Sequence, residues 1–546
     1  MRFFLNKFTK RVIFILIIMV ILSVGSVFIF EKIQKKETSK NERPNLILIS
    51  VDSLRADHVS SYGYPRETTP NIDNLAKEGV LFKNYITNAY LTPISEMCLH
   101  TGMYPISSGV VGFDTILPKK YLTLAQILKI YNYRTAAFGN SPEFLLFSPL
   151  KTSFEKGFDI YNFEEERSGV KILRERQQFI DKKQIFDFLK EKDSPFFVWL
   201  ALGSVHFPYN KFSRQFGDLT YSGPLKDYFL EWGNGDILPF IFNNIFYQFN
   251  GKKNINETNI SNEDIQYIID RYDDGILKTD EWIGDFLTEL KNTGLDKNTV
   301  IILASEHGEA FNEQGYIHHY DVFDNTIKTP LIIKSSILKK QDAIIENQVQ
   351  SIDILPTILE FLNILISHQI EGNSLVSLIN GQSLDNFNEY IFSERVPLWE
   401  RVMFQAYFLK DEKLGGRLEG VINYFNKTTE KLIDFYPEEV IKQIKDDQFL
   451  LQGDFAVRTK EWKLIYRKTK DFQEKYSWWR VLSKSGEEIY DYELYNLKTD
   501  PNEKENVIDK YPDIVKELKE KLDIFIKQQE NKRIVPQIEN TIQEYF

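Results

Sequence analysis

From residue 44 onward, short runs of β-branched and aliphatic residues alternate with stretches whose apolar residues recur at helical spacing. Such runs are typical of strands buried on both faces, and such stretches are typical of helices that pack on a sheet. The predicted strands are residues 45–51, 134–139, 196–201, 299–304 and 331–333, and the predicted helices are 71–79, 121–131, 182–192 and 262–291. Strands separated by helices imply crossover connections, so we predict an α/β fold with a mostly parallel central sheet flanked by helices.

Two regions depart from this rhythm. Residues 209–262 are rich in aromatic residues, Asn and Gly without a clear period, which indicates an insertion that serves as a lid or as surface decoration. Residues 456–459, 462–466 and 488–495 are typical of short antiparallel strands, and 514–528 of a closing amphipathic helix. We therefore predict a catalytic domain over residues 44–380 and a smaller C-terminal α+β subdomain over residues 381–546.

The N-terminus carries an uncharged apolar run of nineteen residues, 12–30, between charged flanks. A helix of that length spans about 28 Å, close to the roughly 30 Å of a bilayer core. We expect an uncleaved transmembrane helix, with residues 1–11 as a short tail and residues 31–43 as a linker. A cleaved signal peptide is the alternative, since Ser23 and Gly25 are small. Long domains translocate largely regardless of flanking charge, so we expect a single-pass cell-membrane protein with its catalytic domain outside the cytoplasm.

Composition narrows the classes of function. The chain has 546 residues, 42% of them hydrophobic, and a formal net charge of -11. The negative charge and the lack of a visible basic stripe argue against a nucleic-acid partner. The single cysteine, Cys98, excludes an internal disulfide framework.

Polar side chains follow two of the predicted strands. Asp52 comes directly after the first strand, and Glu306 and His307 follow the strand at 299–304. In open α/β sheets, ligands bind at the carboxyl ends of the strands. Carboxylate oxygen combined with imidazole nitrogen indicates a metal site at this edge.

Thr92 opens a predicted helix, since Pro93 follows it. A helix that starts here directs its first N–H groups at an anion. A hydroxyl at such a position is a candidate nucleophile if a metal lowers its pKa, because free threonine is far too weakly acidic.

In combination, these stretches resemble the sulfatase family within the alkaline-phosphatase-like group. The matching segments are, in chain order, residues 44–58, 62–65, 69–75, 101–105, 272–275, 305–309, 353–357, 457–464 and 494–501. The resemblance implies an alkaline-phosphatase-like fold from about residue 44 to residue 530. Carried over by position, it implies metal ligands and groups that touch the ester. The metal ligands would be Asp52, Thr92, Glu306 and His307, Thr92 would also be the nucleophile, and His206 and His318 would contact the ester.

The implied ligand set suits one divalent metal ion, which could be Mn²⁺, Mg²⁺, Zn²⁺ or Ca²⁺. Glu306 stands where the family usually has Asp, which keeps the charge and lengthens the reach by one methylene.

Other departures from the family pattern bear on the substrate. True sulfatases form formylglycine at a Cys or Ser followed by Pro two residues on and Arg four residues on. Here these positions are Thr92, Ile94 and Glu96, so no formylglycine is expected. Ser53 replaces the second Asp of the family's acidic pair, and Asn140 replaces the usual lysine. These changes remove charge that would hold a sulfate, and they resemble a threonine-nucleophile branch that acts on phosphate esters.

We therefore expect a membrane-anchored, metal-dependent hydrolase of sulfuric or phosphoric ester bonds, with phosphate esters favoured. Its ester substrate could be linked to a glycan or a lipid. The expected mechanism is double displacement at Thr92, with His206 or His318 protonating the leaving group. Two alternatives stay open: a phospho-group transferase that modifies lipid or glycan, and a catalytically degenerate binding protein.

The remaining histidines and the cysteine are expected to be structural. His58 and His368 are predicted at the surface, while His100 and Cys98 are predicted to pack in the interior. His319 is expected to be a neighbour of the site and not a ligand.

Overall fold

The computed structural model describes residues 43–532 with internal gaps. Outside the description lie residues 1–42, 113–114, 141–152, 164–179, 192–193, 207–208, 210–214, 218–219, 224–260, 315–316, 320, 339–340, 366–369, 385, 396–452, 468–491 and 533–546. The predicted anchor, the linker up to residue 42, most of the 209–262 insertion and His368 therefore fall outside it. None of the helices in the described ranges has the length and apolar character needed to cross a membrane.

The larger sheet contains eight strands in the order β4-β3-β5-β1-β6-β7-β2-β8. Their bounds are β1 Asn45–Val51, β2 Val80–Ile86, β3 Arg134–Gly139, β4 Ile160–Phe163, β5 Phe196–Leu202, β6 Thr299–Ala304, β7 Lys328–Lys334 and β8 Ala343–Gln350. All neighbouring pairs are parallel except those of β7, which runs antiparallel to β6 and β2. The predicted α/β fold with a mostly parallel sheet is therefore confirmed.

The sheet is covered on both faces, as its continuous apolar strands predict. In β1, Leu46 and Leu48 belong to one apolar cluster while Ile47 and Ile49 belong to another, and all four are fully buried. The helices are α1 Pro70–Lys77, α2 Thr92–Thr101, α3 Pro105–Ser108, α4 Leu124–Ile130, α5 Lys182–Leu189, α6 Asn262–Thr293, α7 Asp324–Ile327, α8 Ile354–Phe361, α9 Val376–Ile379 and α10 Pro512–Lys532.

The long helix α6 has clear start and stop signals. Ser261 accepts a hydrogen bond from the Asp264 N–H, and the Asp264 side chain accepts one from the Ser261 N–H, which forms a capping box. Gly294 ends the helix at φ 73°, a conformation that glycine adopts without strain. The predicted helix over 262–291 is thus confirmed and extends by two residues.

A second sheet of four antiparallel strands has the order β12-β11-β10-β9. Its strands are β9 Ile391–Arg395, β10 Asp454–Arg458, β11 Trp462–Tyr466 and β12 Tyr492–Asn496. Strand β9 also contacts the segments before and after α2: the Glu394 N–H donates to Asn88 O at 2.9 Å, and the Glu394 carboxylate accepts from the Ile106 N–H of α3 at 3.0 Å. The predicted separate antiparallel sheet is present, while the boundary near residue 380 stays a prediction.

Candidate active site and metal centre

The carboxyl ends of two adjacent central strands carry the acidic and imidazole groups of the site. Strand β1 pairs with β6 in register, with Ser50 opposite Ala304. Asp52 therefore lies beside Glu306 and His307, because each follows its strand by one to three residues. Thr92, the first residue of α2, is also brought to this edge, and all four side chains are buried.

The four side chains predicted to bind metal converge in space. One ligand atom each from Asp52, Glu306 and His307 lie within 4.8 Å of one another. The Thr92 Oγ1 is 2.7 Å from His307 Nε2, which in turn lies 3.5 Å from Asp52 Oδ1. The roles of these residues as ligands and nucleophile stay predictions.

The backbone sets the tautomer of His307. Its Nδ1 lies 2.9 Å from the Gly308 carbonyl oxygen, which can only accept, so Nδ1 carries the hydrogen. Nε2 then has its lone pair free to accept from the Thr92 hydroxyl or to bind a cation. Burial and the neighbouring His319 hold the pKa of His307 well below its usual value, so the ring is neutral.

The site concentrates buried carboxyl groups. Burial, then Asp52 and Glu96, raise the pKa of Glu306 well above its usual value. Burial and Asp52 likewise raise the pKa of Glu96 to about 8, although a hydrogen bond from Ser50 acts in the opposite direction. Among the described residues, Glu306 Oε2 is buried without a hydrogen-bond partner. A divalent cation would satisfy this oxygen and offset the repulsion, so the residues present fit a metal ion.

The two histidines predicted to touch the ester lie at the same site. The His206 ring is 6.4 Å from the rings of His307 and His318, measured between centroids. His318 has φ 82°, an unusual value for a residue with a side chain. The roles of the two imidazoles toward an ester stay predictions.

Sequence reasoning missed a second buried cluster beside the first. Glu309 Oε1 lies 3.2 Å from His319 Nδ1 and 3.5 Å from His318 Nδ1. His319 also stacks on His307 with 3.9 Å between ring centroids, so it directly contacts a predicted metal ligand. The sequence signal that could have revealed this cluster is the adjacent His318-His319 pair, which begins nine residues after Glu309.

The replacements of family residues have local structural roles. Asn140 Oδ1 accepts from the Gly203 N–H at 2.8 Å, and its Nδ2 donates to Ser204 Oγ at 3.1 Å. Asn140 therefore fixes the loop after β5 that leads to His206. Ser53 donates its hydroxyl to Asp52 Oδ1 at 3.1 Å, which orients that carboxylate.

The prediction that His58 lies at the surface is wrong. The residue is 6% exposed, and its Nδ1 is 2.7 Å from Asp273 Oδ1. Asp273 lies on α6 and was not recognisable from sequence as a partner. The packing roles predicted for two other residues are confirmed: His100 packs edge-on against Trp199 at 4.6 Å, and Cys98 lies in an apolar cluster.

The sulfatase family model matches residues 44–364. The chain belongs to the sulfatase family. An ulvan-active sulfatase of Formosa agariphila is 25% identical over 415 residues, covering 71% of this chain and 76% of that protein. The chain is accordingly a sulfatase-like hydrolase.

Two solved structures share the fold. One is a protein in complex with its substrate D-glucosamine-2-N,6-O-disulfate, with a TM-score of 0.60, 17% identity, and coverage of 90% of this chain and 98% of that one. The other is the phosphonate monoester hydrolase of Agrobacterium radiobacter, with a TM-score of 0.59, 19% identity, and coverage of 89% and 96%.

Proposed function

We propose that this enzyme cleaves a phosphate or phosphonate ester through a covalent intermediate on Thr92. The observation that carries the proposal is the 2.7 Å contact between Thr92 Oγ1 and the neutral His307, at the N-terminus of a buried ten-residue helix. Ile94 and Glu96 stand where formylglycine formation requires Pro and Arg, so the hydroxyl itself is the nucleophile present.

One divalent cation on Asp52, Thr92, Glu306 and His307 would supply Lewis-acid activation of the hydroxyl. The Thr92 hydroxyl loses its proton to solvent, and its oxygen attacks phosphorus in line with the leaving oxygen. The Thr92 O–P bond forms as the bond to the leaving oxygen breaks, and that oxygen takes a proton from His206 or His318. The first turn of α2 stabilises the negative charge on the phosphoryl oxygens.

The second step frees the enzyme. Water gives a proton back to the same histidine and attacks phosphorus, which breaks the Thr92 O–P bond and releases phosphate or phosphonate. The Thr92 oxygen then takes a proton from solvent, which restores its hydroxyl. An acceptor alcohol in place of water would make the enzyme a transferase. The metal in this proposal is Mn²⁺, Mg²⁺, Zn²⁺ or Ca²⁺, since oxygen ligands with one imidazole suit each of them.

The preference for phosphorus over sulfur rests on the nucleophile, because Thr92, Ile94 and Glu96 lack the formylglycine signal of true sulfatases. Asn140 replaces the usual lysine of that family and is engaged with Gly203 and Ser204. Sulfate esters are the second candidate, because the ulvan-active relative is a sulfatase. The degenerate alternative is tested by the same experiment.

The decisive experiment is a panel of chromogenic aryl sulfate, phosphate, phosphodiester and phosphonate esters, each assayed with four divalent metals. We expect one of the phosphorus esters to be the best substrate and Thr92→Val to lose at least about 10³-fold in turnover. Thr101→Val, at the other end of the same helix, is the matched control and should keep the wild-type rate. Mass spectrometry after a brief reaction should find the phosphoryl group on the Thr92 peptide.

Three results would contradict the proposal. A sulfate ester as the best substrate would overturn the phosphorus preference. Full activity in Thr92→Val would overturn the nucleophile. A folded, metal-loaded protein without turnover on any substrate would favour the degenerate alternative.

We also propose that residues 12–30 anchor the enzyme in the cell membrane with its catalytic domain outside the cytoplasm. The support is the length and apolarity of that run in the sequence.

A further inference from the structure

Glu309, His318 and His319 form a cluster of potential metal ligands. The proposed mechanism uses only His318 from this cluster. One ligand atom from each lies within 4.8 Å of the others, and all three residues are buried. We propose that these three residues form a second divalent-cation site beside the first. A carboxylate with two imidazoles is a donor set suited to Zn²⁺ that leaves a coordination position open.

The cluster is built on a backbone that is held from several sides. The Glu309 N–H donates to Asn325 O at 3.0 Å, and the Glu309 carbonyl accepts from Arg55 Nη1 at 2.9 Å. The His318 N–H donates to Ala310 O at 3.1 Å, which ties the histidine pair back to the segment that carries Glu309. A ligand set whose backbone is fixed in this way is arranged before a cation binds.

One carboxylate oxygen of the cluster, Glu309 Oε2, lacks a hydrogen-bond partner among the described residues. Glu309 is 0% exposed, and among the described residues its Oε2 is buried without a hydrogen-bond donor. A buried carboxylate oxygen left in this state is costly, whereas a cation would satisfy it. Oε1 faces both imidazoles, so Oε2 is the atom that a cation would add to the network.

The two sites share one region of buried negative charge. Glu309 follows His307 by two residues, and His319 stacks on the His307 ring at 3.9 Å. Within the described part of the chain, no lysine or arginine lies at ion-pair distance from the carboxylate of Glu306 or Glu309. Asp52, Glu306 and Glu309 offer three carboxylates, which is one more than the charge of a single dication balances when all three are ionised.

Two adjacent cations would bind two oxygens of the same ester group, an arrangement used in many phosphoryl-transfer sites. His318 would then be occupied as a ligand, and His206 would be the proton donor of the proposed mechanism. This assignment of roles rests on the proposed function, whereas cation binding at Glu309 does not.

The test counts cations directly. Metal-free full-length protein is titrated with Zn²⁺ by calorimetry, and the equivalents kept after desalting are measured by elemental analysis. We expect two equivalents in the wild type, one in Glu309→Gln, and two in the control Glu346→Gln, which changes an exposed glutamate on β8. Co²⁺ titration should show two absorption steps in the wild type and one in Glu309→Gln.

Each outcome decides between the two sites. Equal equivalents in the wild type and Glu309→Gln overturn the second site. If the wild type binds one equivalent, and Asp52→Ala loses it while Glu309→Gln keeps it, only the first site exists. If Glu309→Gln loses it and Asp52→Ala keeps it, only the second site exists. If Glu309→Gln does not fold, His319→Asn replaces it, with the same expected loss of one equivalent.

Discussion

A buried lysine in the second sheet connects that sheet to the segment carrying the histidine pair. Lys463 on β11 is 0% exposed, and its ammonium lies 2.6 Å from Asp324 Oδ1, 2.8 Å from Glu503 Oε1 and 3.1 Å from Val322 O. We predict that Lys463→Met strongly destabilises the protein, because it leaves buried carboxylates without their cation. Asp324 keeps Arg458 as a partner at 2.8 Å, so Glu503 suffers most.

The structure sets the size of the effect. Removing one partner of a buried ion pair costs about 3–5 kcal/mol in the free energy of unfolding. Burial raises the pKa of Glu503 to about 7, although Lys463 acts to lower it. Without Lys463 that pKa rises further, so Glu503 is neutral at pH 6 and charged only at higher pH. The destabilisation should therefore be smallest near pH 6 and should grow as the pH rises.

Urea unfolding followed by tryptophan fluorescence at pH 6 and pH 8 measures the prediction. Lys498→Met is the matched control, since Lys498 and Glu461 are 3.3 Å apart but more than half exposed, and such pairs contribute about 0–1 kcal/mol. The double variant Lys463→Met/Glu503→Gln should recover part of the loss. A Lys463→Met variant as stable as Lys498→Met at pH 8 would refute the reasoning.

Three further predictions concern the metal, the pH dependence and the anchor. Asp52→Ala and His307→Ala should each lose one equivalent of bound cation by elemental analysis, whereas Glu306→Asp, which keeps the charge, should retain it; unchanged content in both alanine variants would remove the first site. Burial raises the pKa of Asp280 to about 6, so the protein should lose up to about 3 kcal/mol of unfolding free energy as the pH rises through 6. Asp280→Asn should reduce this pH dependence, measured by urea unfolding between pH 4 and 8. An unchanged pH dependence in the variant would contradict the prediction. Deleting residues 1–42 should give a soluble folded protein by size-exclusion chromatography, because β1 starts only at Asn45; aggregation of the truncated chain beside a monodisperse detergent-extracted full chain would show that the boundary is wrong.

The sequence predicts β1, β3, β5, β6 and β7 of the central sheet because they contain continuous apolar runs, and it misses β2, β4 and β8, whose residues are partly exposed. Strands β1, β3 and β6 have the predicted bounds, since a continuous apolar run ends where the chain returns to polar loops. β7 is longer than predicted, Lys328–Lys334, because its first residues are not apolar. Its antiparallel direction to β6 and β2 carries no apolar signal in the sequence.

Topology predicts the part of the site that lies at strand ends, and the family resemblance adds Thr92, His206 and His318. Asp52, Glu306 and His307 follow strands, so their convergence follows from topology. Glu309 and the histidine pair meet through a turn whose geometry depends on hydrogen bonds to Asn325 and Ala310. Such contacts leave no periodic trace in a sequence.

The contact between Glu394 and Asn88 joins two segments that are synthesised at different times. Glu394 pairs with the backbone just before Thr92, and 302 positions separate Thr92 from Glu394 in the sequence. At roughly 5–20 residues per second, the ribosome adds that stretch in about 15–60 s. The segment that carries Thr92 is therefore synthesised well before the strand β9 that contacts it. Until β9 is made, this segment lacks its hydrogen bond from Glu394.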